Sequence, residues 1–362
     1  EPREETQSLP EPARAMKAAD ITGDGSAETV ACVGGEVIAL DADGERLWSA
    51  PIGESYGKCL DVYDLDADGR PEVIVGGQDQ RVHCFDADGN ERWVVDCPAD
   101  PYTSEIEPQR GTIDVLAAGD INADGLGEIV FGASNWLAYA LNHRGELLWK
   151  AVNWAHPPLD IALQDVTGDG RLEALIATRY NDANLFDADG RQIDSISAGY
   201  HGIPMSVAAA DLDADGTVEL VTGSRVGNLH VKPFKGTPWE LSMGSQVTDV
   251  ATADLTGDGT QQVLACSASH YVICADASGS MLWRANVGGA ARQIAVGDIN
   301  GDGAAEVVAA VAGDAPAVLS ATGELLGRLG PADAELIALA DVNGDGRVEL
   351  VCAREGLIGA WR

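Results

Sequence analysis

An acidic nine-residue pattern recurs along this chain and limits what it can fold into. The pattern Asp-x-x-x-Asp-Gly-x-x-Glu occurs in seven complete copies, and an eighth copy, from Asp254, ends in Gln262 instead of glutamate. The complete copies begin at Asp20, Asp64, Asp120, Asp165, Asp211, Asp298 and Asp341. The intervals between successive first aspartates are 44, 56, 45, 46, 43, 44 and 43 residues. The chain is therefore built from eight similar units.

Each unit contains four short runs that favour β-strands. Small residues precede the acidic loop, as in LAAGD, and a β-branched run follows it, as in EIVFGA. The third and fourth runs resemble VHCFDADG and NERW, and the period is typical of a four-stranded propeller blade. The last unit stops at its third run, GLIGAWR, and residues 7–9 are positioned to supply the missing strand.

We therefore predict an all-β fold: one domain, residues 1–362, forming an eight-bladed β-propeller with four-stranded antiparallel blades. The N-terminal strand closes the last blade, which would otherwise expose an unpaired edge. A seven-bladed ring is less favoured, because it would leave one complete unit outside the ring.

The loops DITGDGSAE, DLDADGRPE, DINADGLGE and DVNGDGRVE resemble those of FG-GAP/VCBS repeats, the integrin-α-like calcium-binding propeller family. This resemblance covers almost the whole chain and implies up to eight Ca²⁺ ions, one per blade. In addition, ALDADGERLW and ALNHRGELLW are similar to the Trp-docking repeats of quinoprotein dehydrogenase propellers. That second resemblance implies that Trp48, Trp93, Trp149 and Trp283 pack against the neighbouring blade. The units at Asp187, Phe234 and Leu319 lack the tryptophan.

The acidic loops also predict calcium binding directly, because oxygen donors occupy alternate positions around a glycine. They are not EF-hands, since position twelve of the first copy is Ala31, inside a predicted strand. Loops with aspartate at the third position, Asp66 and Asp213, carry more negative charge and are predicted to bind calcium more strongly. The loop closed by neutral Gln262 is predicted to bind it most weakly. The predicted calcium ligands are Asp20, Thr22, Asp24, Glu28, Asp64, Asp66, Asp68, Glu72, Asp120, Asn122, Asp124, Glu128, Asp165, Thr167, Asp169, Glu173, Asp211, Asp213, Asp215, Glu219, Asp254, Thr256, Asp258, Gln262, Asp298, Asn300, Asp302, Glu306, Asp341, Asn343, Asp345 and Glu349.

Composition limits the other function classes. A net charge of −35 argues against nucleic-acid binding, and no apolar run reaches the length of a membrane span. Most of the seven cysteines lie in apolar runs and are expected to be buried thiols, while pairing of Cys59 with Cys97 stays open. The polar start is typical of a mature terminus, and calcium loops suit a calcium-rich compartment. We expect a secreted or periplasmic monomer.

Function is expected on the face opposite the acidic loops, where cations and aromatic residues collect although the chain has only 23 basic residues. The predicted ligand-binding residues are Lys58, Arg110, Trp136, Trp154, Tyr180, His270 and Tyr271. The favoured interpretation is binding of a carbohydrate, an acidic polysaccharide. One alternative is a polysaccharide lyase that eliminates at a uronate, with His156, Tyr200, His201 and Arg179 as catalytic residues. The other is a protein–protein interaction propeller, and whether the protein is an enzyme stays open.

Overall fold

Eight four-stranded antiparallel sheets form the blades of a ring in this computed structural model, which describes residues 5–53, 55–100, 109–153, 157–180, 182–199 and 202–362. The innermost strand of each blade contacts the innermost strand of the next, and the last blade contacts the first. The structure therefore confirms the predicted eight-bladed β-propeller.

The strands follow one another from the centre of each blade outward, in chain order. The first strand of the chain, β1 (Glu5–Ser8), belongs to the last blade. Blades 1 to 4 comprise β2 (Ala13–Ala19), β3 (Glu28–Val33), β4 (Glu36–Leu40) and β5 (Arg46–Pro51); β6 (Gly57–Tyr63), β7 (Glu72–Gly77), β8 (Arg81–Phe85) and β9 (Glu91–Asp96); β10 (Ile113–Gly119), β11 (Glu128–Ala133), β12 (Leu137–Leu141) and β13 (Leu147–Val152); and β14 (Pro158–Gln164), β15 (Glu173–Thr178), β16 (Asp182–Phe186) and β17 (Gln192–Ser197).

The second half of the ring repeats this plan. Blades 5 to 8 comprise β18 (Pro204–Ala210), β19 (Glu219–Ser224), β20 (Asn228–Pro233) and β21 (Trp239–Ser242); β22 (Val247–Ala253), β23 (Gln262–Ser267), β24 (Tyr271–Ala275) and β25 (Met281–Asn286); β26 (Ala291–Gly297), β27 (Glu306–Val311), β28 (Ala317–Leu319) and β29 (Leu325–Arg328); and β30 (Leu336–Ala340), β31 (Glu349–Arg354), β32 (Leu357–Trp361) and β1. The second strands of blades 1 to 7 are buried along their whole length, so the core consists of apolar layers between neighbouring blades.

The N-terminal strand closes the last blade, as predicted. Strand β1 pairs antiparallel with β32, with Gln7 opposite Ile358, and the Leu9 N–H donates to the Gly356 carbonyl at 3.1 Å. The pairing covers the edge of the last sheet and joins the two ends of the described chain.

Tryptophans on the outer strands fasten each blade to the next. The indole N–H of Trp48 donates to the Ala87 carbonyl at 2.9 Å, and its ring lies against Gly89, where a Cβ would approach the ring to 2.6 Å. Trp93, Trp149 and Trp283 make equivalent bonds. The expectation that the unit at Phe234 lacks this residue is wrong, because Trp239 donates to Ala277 at 2.8 Å. A different turn before β21 places Trp239 outside the expected spacing.

Side chains on the inner strands add a second set of links between blades. Asp160 accepts a hydrogen bond from the Val207 N–H at 2.8 Å, and Asp249 accepts one from the Ile294 N–H at 2.9 Å. Ser206 Oγ lies 2.9 Å from both carboxyl groups. The innermost strands of blades 4 to 7 are therefore linked, each to that of the next blade.

The cysteines are all free thiols, so Cys59 and Cys97 do not pair. Six of the seven are buried, and burial raises the pKa of Cys32 to about 12. Among the described residues, no helix is long and apolar enough to cross a membrane.

Candidate functional site

The acidic loops join the innermost strand of each blade to the second strand, so they lie on one face of the ring. In blade 3 the Gly125 N–H donates to Asp120 Oδ2 at 2.9 Å, and all eight blades contain the equivalent bond. Gly125 has a φ of 89°, which a side chain would strain. The aspartate and the glycine together give every blade the same loop shape.

The residue that closes each loop is buried at its base. Glu128 is 1% exposed, and its Oε2 accepts a hydrogen bond from the Ile121 N–H at 3.1 Å. Gln262, which takes the place of the glutamate in blade 6, accepts the same bond from the Leu255 N–H at 2.8 Å. Burial, and then the charge of Asp124, raises the pKa of Glu128 to about 7. Ionised Glu128 therefore lacks a compensating positive charge within its own loop.

The predicted metal ligands offer a donor set that fits a hard cation. The oxygens that lie within 4.8 Å of one another belong to Asp64, Asp66 and Glu72 in blade 2 and to Asp211, Asp213 and Asp215 in blade 5. In blade 3, the buried Oδ1 of Asn122 has no hydrogen-bond partner. Carboxylate and amide oxygens are the ligands that Ca²⁺ takes, so these residues fit the predicted ion.

Two loops carry an arginine on the carboxylates that would bind the ion. In blade 2, Arg92 Nη2 lies 2.6 Å from Asp66 Oδ2, and the same guanidinium contacts Glu72. In blade 8, Arg362 Nε lies 3.2 Å from Glu349 Oε1. The sequence analysis did not single out these arginines. The signal available in the sequence was that arginine precedes Trp93, whereas leucine precedes Trp48, Trp149 and Trp283.

The predicted cations on the opposite face are largely neutralised within the chain. Lys58 forms an ion pair with Asp114, and Arg110 Nη1 lies 3.0 Å from Asp96 Oδ2. Both basic side chains stay partly exposed. A ligand that used either one would have to share it with an internal carboxylate.

The predicted aromatic residues on that face occupy different environments. Trp136 and His270 hold the same position in the turns of blades 3 and 6, with φ values of 71° and 72°. One face of the Tyr271 ring is covered by the Arg284 guanidinium, 3.5 Å from the ring centroid. Four predicted residues lie outside the described residues: Trp154, His156, Tyr200 and His201.

An open cleft of about 380 Å³ lies on this face, where blades 4, 5 and 6 meet. It is lined by Leu159, Arg179, Ile203, Met205, Arg225 and Gln246. Neither arginine forms an ion pair with a described residue. Tyr180 and Val226, which follow them in the chain, are 53% and 51% exposed. The sequence analysis named Arg179 and Tyr180 but missed the apolar lining, because inner-strand residues have the same pattern as core positions.

Two segments of the chain, residues 64–131 and 165–222, match the family of FG-GAP-like repeats. Each segment runs from the acidic loop of one blade into the second strand of the next blade. The propeller therefore contains FG-GAP-like repeats. No curated protein sequence matches the chain.

Solved propellers resemble the whole ring. Sqt1 from Chaetomium thermophilum, bound to the N-terminus of a ribosomal protein, is 12% identical over 97% of each chain, with a TM-score of 0.74. BamB from Moraxella catarrhalis is 16% identical over 100% of this chain and 98% of its own, with a TM-score of 0.64. BBS1N, in complex with ARL6DN, is 13% identical over 84% and 91%, with a TM-score of 0.63. At such identities the likeness shows the fold alone.

Proposed function

We propose that this propeller of FG-GAP-like repeats binds a protein partner on the face opposite the acidic loops, and that the acidic loops hold calcium ions that stabilise the ring. The observation that carries the docking proposal is the exposure of Tyr180 and Val226 on that face. Among the described residues, the other large exposed apolar side chains lie on outer strands. Aromatic and apolar side chains beside arginines are typical of the centre of a protein interface.

Two structural relatives support this direction without identifying a partner. Sqt1 and BBS1N are both seen in complex with another protein. Because their sequence identities to this chain are 12% and 13%, no partner can be transferred from them. The chemistry of the partner has to be inferred from this chain's own surface.

The calcium part of the proposal rests on the converging oxygens and on the unpartnered Asn122 Oδ1. An ion at this position would link the innermost and second strands of a blade and would neutralise the buried glutamate. Its contribution would be to stability. Calcium loops of modest affinity fill only where the ion is abundant, so the proposal includes a location outside the cytoplasm.

The carbohydrate interpretations are outcomes of the same experiment. Of the four residues expected to catalyse uronate elimination, only Arg179 lies within the described part of the chain. Of the aromatic residues expected to stack on sugar rings, Tyr271 is already covered on one face.

The test compares the double variant Tyr180→Ser, Val226→Ser with Leu325→Ser, Leu326→Ser, which removes two similarly exposed apolar side chains from an outer strand. Each protein, carrying a photo-crosslinker at exposed Ser242, which ends β21 on the same face beside the turn of Val226, is incubated with extracellular proteins and with acidic polysaccharides. We expect protein crosslinks that the first pair of substitutions abolishes and the second leaves intact. Binding of a polysaccharide alone would overturn the proposal, and new ultraviolet absorbance of an unsaturated uronate would identify a lyase.

A further inference from the structure

The cleft at the meeting point of blades 4, 5 and 6 combines two arginines with an aliphatic floor. Arg179 and Arg225 occupy equivalent turns of neighbouring blades, between the second and third strands. The Arg179 N–H donates to the Pro157 carbonyl at 3.1 Å, and the Arg225 N–H donates to the Ile203 carbonyl at 2.8 Å. Both side chains therefore extend from turns whose backbones are held in place.

Ion pairing distinguishes these two arginines from three other cations on this face. Lys58 and Arg110 contact internal carboxylates, and Arg292 Nη2 lies 3.5 Å from Asp333 Oδ1. Arg179 and Arg225 have no such partner among the described residues, although the chain has 58 acidic residues against 23 basic ones. Two guanidinium groups on one small cleft, with no anionic partner among the described residues, suit a carboxylate from another molecule, which arginine binds in a bidentate manner.

We propose that this cleft is the site where the partner inserts a carboxylate, either an acidic side chain or a C-terminal carboxylate, from a peptide segment. The inference rests on the proposed protein docking and specifies what the docking surface recognises. The carboxylate would lie between Arg179 and Arg225, and the flanking part of the peptide would cover Tyr180 and Val226.

The apolar lining favours a peptide over an acidic sugar. Leu159, Ile203 and Met205 provide aliphatic surface, and none of the described residues that line the cleft is aromatic. Sugar rings are usually held by flat aromatic side chains, whereas methylene groups of a peptide pack well on aliphatic ones. Gln246 can donate and accept a hydrogen bond at the edge of the cleft, which suits a peptide backbone.

The probe for this inference is a library of displayed hexapeptides with free C-terminal carboxylates, selected on the wild-type protein. We expect enrichment of aspartate, glutamate or a fixed C-terminal pattern. A selected peptide should then bind the double variant Arg179→Gln, Arg225→Gln at least about tenfold more weakly, because charge-assisted bidentate hydrogen bonds are lost. Replacing the peptide's carboxylate with an amide should cause the same loss, and the two losses should not add.

Arg354→Gln is the matched control, since this exposed arginine ends β31 on the same face but lies outside the cleft. It should leave the affinity unchanged, and melting curves of both variants should match the wild type. Peptides that bind through Tyr180 and Val226 without any acidic preference would overturn this inference while leaving the proposed docking intact. Failure of every peptide to bind, or binding of a uronate polysaccharide in its place, would overturn both.

Discussion

The acidic loops of blades 2 and 3 follow the same plan but balance their charge differently. Each loop is closed by a glutamate that is almost fully buried, Glu72 at 2% and Glu128 at 1% exposure. In both blades the outermost strand contains a bulge. The extra residue of the bulge is Arg92 in blade 2 and Leu148 in blade 3. One residue on a different strand therefore decides whether a loop has its own cation.

The consequences are visible in the two loops. In blade 2 the Arg92 guanidinium contacts Asp66 and Glu72, and these contacts raise the pKa of Arg92. In blade 3, Leu148 is 47% exposed and contributes no charge. The ring therefore combines loops that are neutralised internally with loops whose carboxylates would need an external ion.

The bulge position shows that blade 2 is the exception. The equivalent residues of the other blades with the same bulge are Leu47, Ile193, Leu282 and Leu326. Blade 8 reaches a similar result with Arg362, which follows its third strand. If the acidic loops bind calcium, they should differ more through these arginines than through Asp, Asn or Thr at the third loop position.

The largest expected effect is that of calcium removal. Each ion bound only by the folded state contributes about 2.7 kcal/mol when its concentration is 100 times the dissociation constant. We expect excess chelator to lower the melting temperature strongly, and elemental analysis to find one ion for each of the six loops whose closing residue has no arginine partner. Eight bound ions would show that Arg92 and Arg362 do not take the place of an ion in blades 2 and 8. The absence of any bound ion would show that the loops do not bind calcium.

Arg92→Leu should convert the loop of blade 2 into one like that of blade 3. In chelator we expect a loss of about 1–2 kcal/mol, because buried Glu72 loses its partner while the arginine itself is partly exposed. In calcium, the variant should bind one more ion than the wild type and recover most of this stability, measured by calorimetric melting and elemental analysis.

Arg70→Leu is the control for charge alone. Arg70 lies within the same loop, but its guanidinium pairs with exposed Asp88 at 3.0 Å, away from Asp66 and Glu72. It should leave the number of bound ions unchanged. An equal gain of calcium in both variants would mean that net charge, and not the position of Arg92, controls binding.

The fold could be predicted almost completely from the sequence, because eight repeats each report the same strands and loops. The interactions between blades could not. Lys58 and Asp114 are 56 residues apart, and they meet only because the ring places their inner strands side by side. Arg92 reaches Asp66 across 26 residues because of the bulge in β9, which no spacing rule indicates. Repetition predicts the common plan, while the features that vary between blades depend on tertiary contacts.

Leu148→Arg makes the reverse exchange, and its effect should be smaller because the new side chain starts from an exposed position. We expect a gain of about 1 kcal/mol in chelator, as the guanidinium neutralises Glu128, together with the loss of one calcium ion. Leu282→Arg, at the same position of blade 6, is the control, because its loop is closed by neutral Gln262. It should give less stabilisation, and equal stabilisation by both variants would show that the closing charge does not matter.

The smallest expected effect is a pH dependence that appears only without calcium. The pKa of Glu128 is raised in the folded state to about 7 from an ordinary value of 4.5, so the folded protein holds this proton more tightly than the unfolded chain does. Stability should therefore fall as the pH rises from 4.5 to 7, by on the order of 1 kcal/mol from this residue, because solvent near the loop reduces the full effect.

Glu128→Gln should flatten this part of the profile in chelator, since glutamine keeps the backbone hydrogen bond, as Gln262 does in blade 6, but carries no charge. Glu72→Gln should flatten it less, because Arg92 already opposes the rise in the pKa of Glu72. Equal slopes for the two variants in urea titrations across this pH range would show that Arg92 does not set blade 2 apart from blade 3.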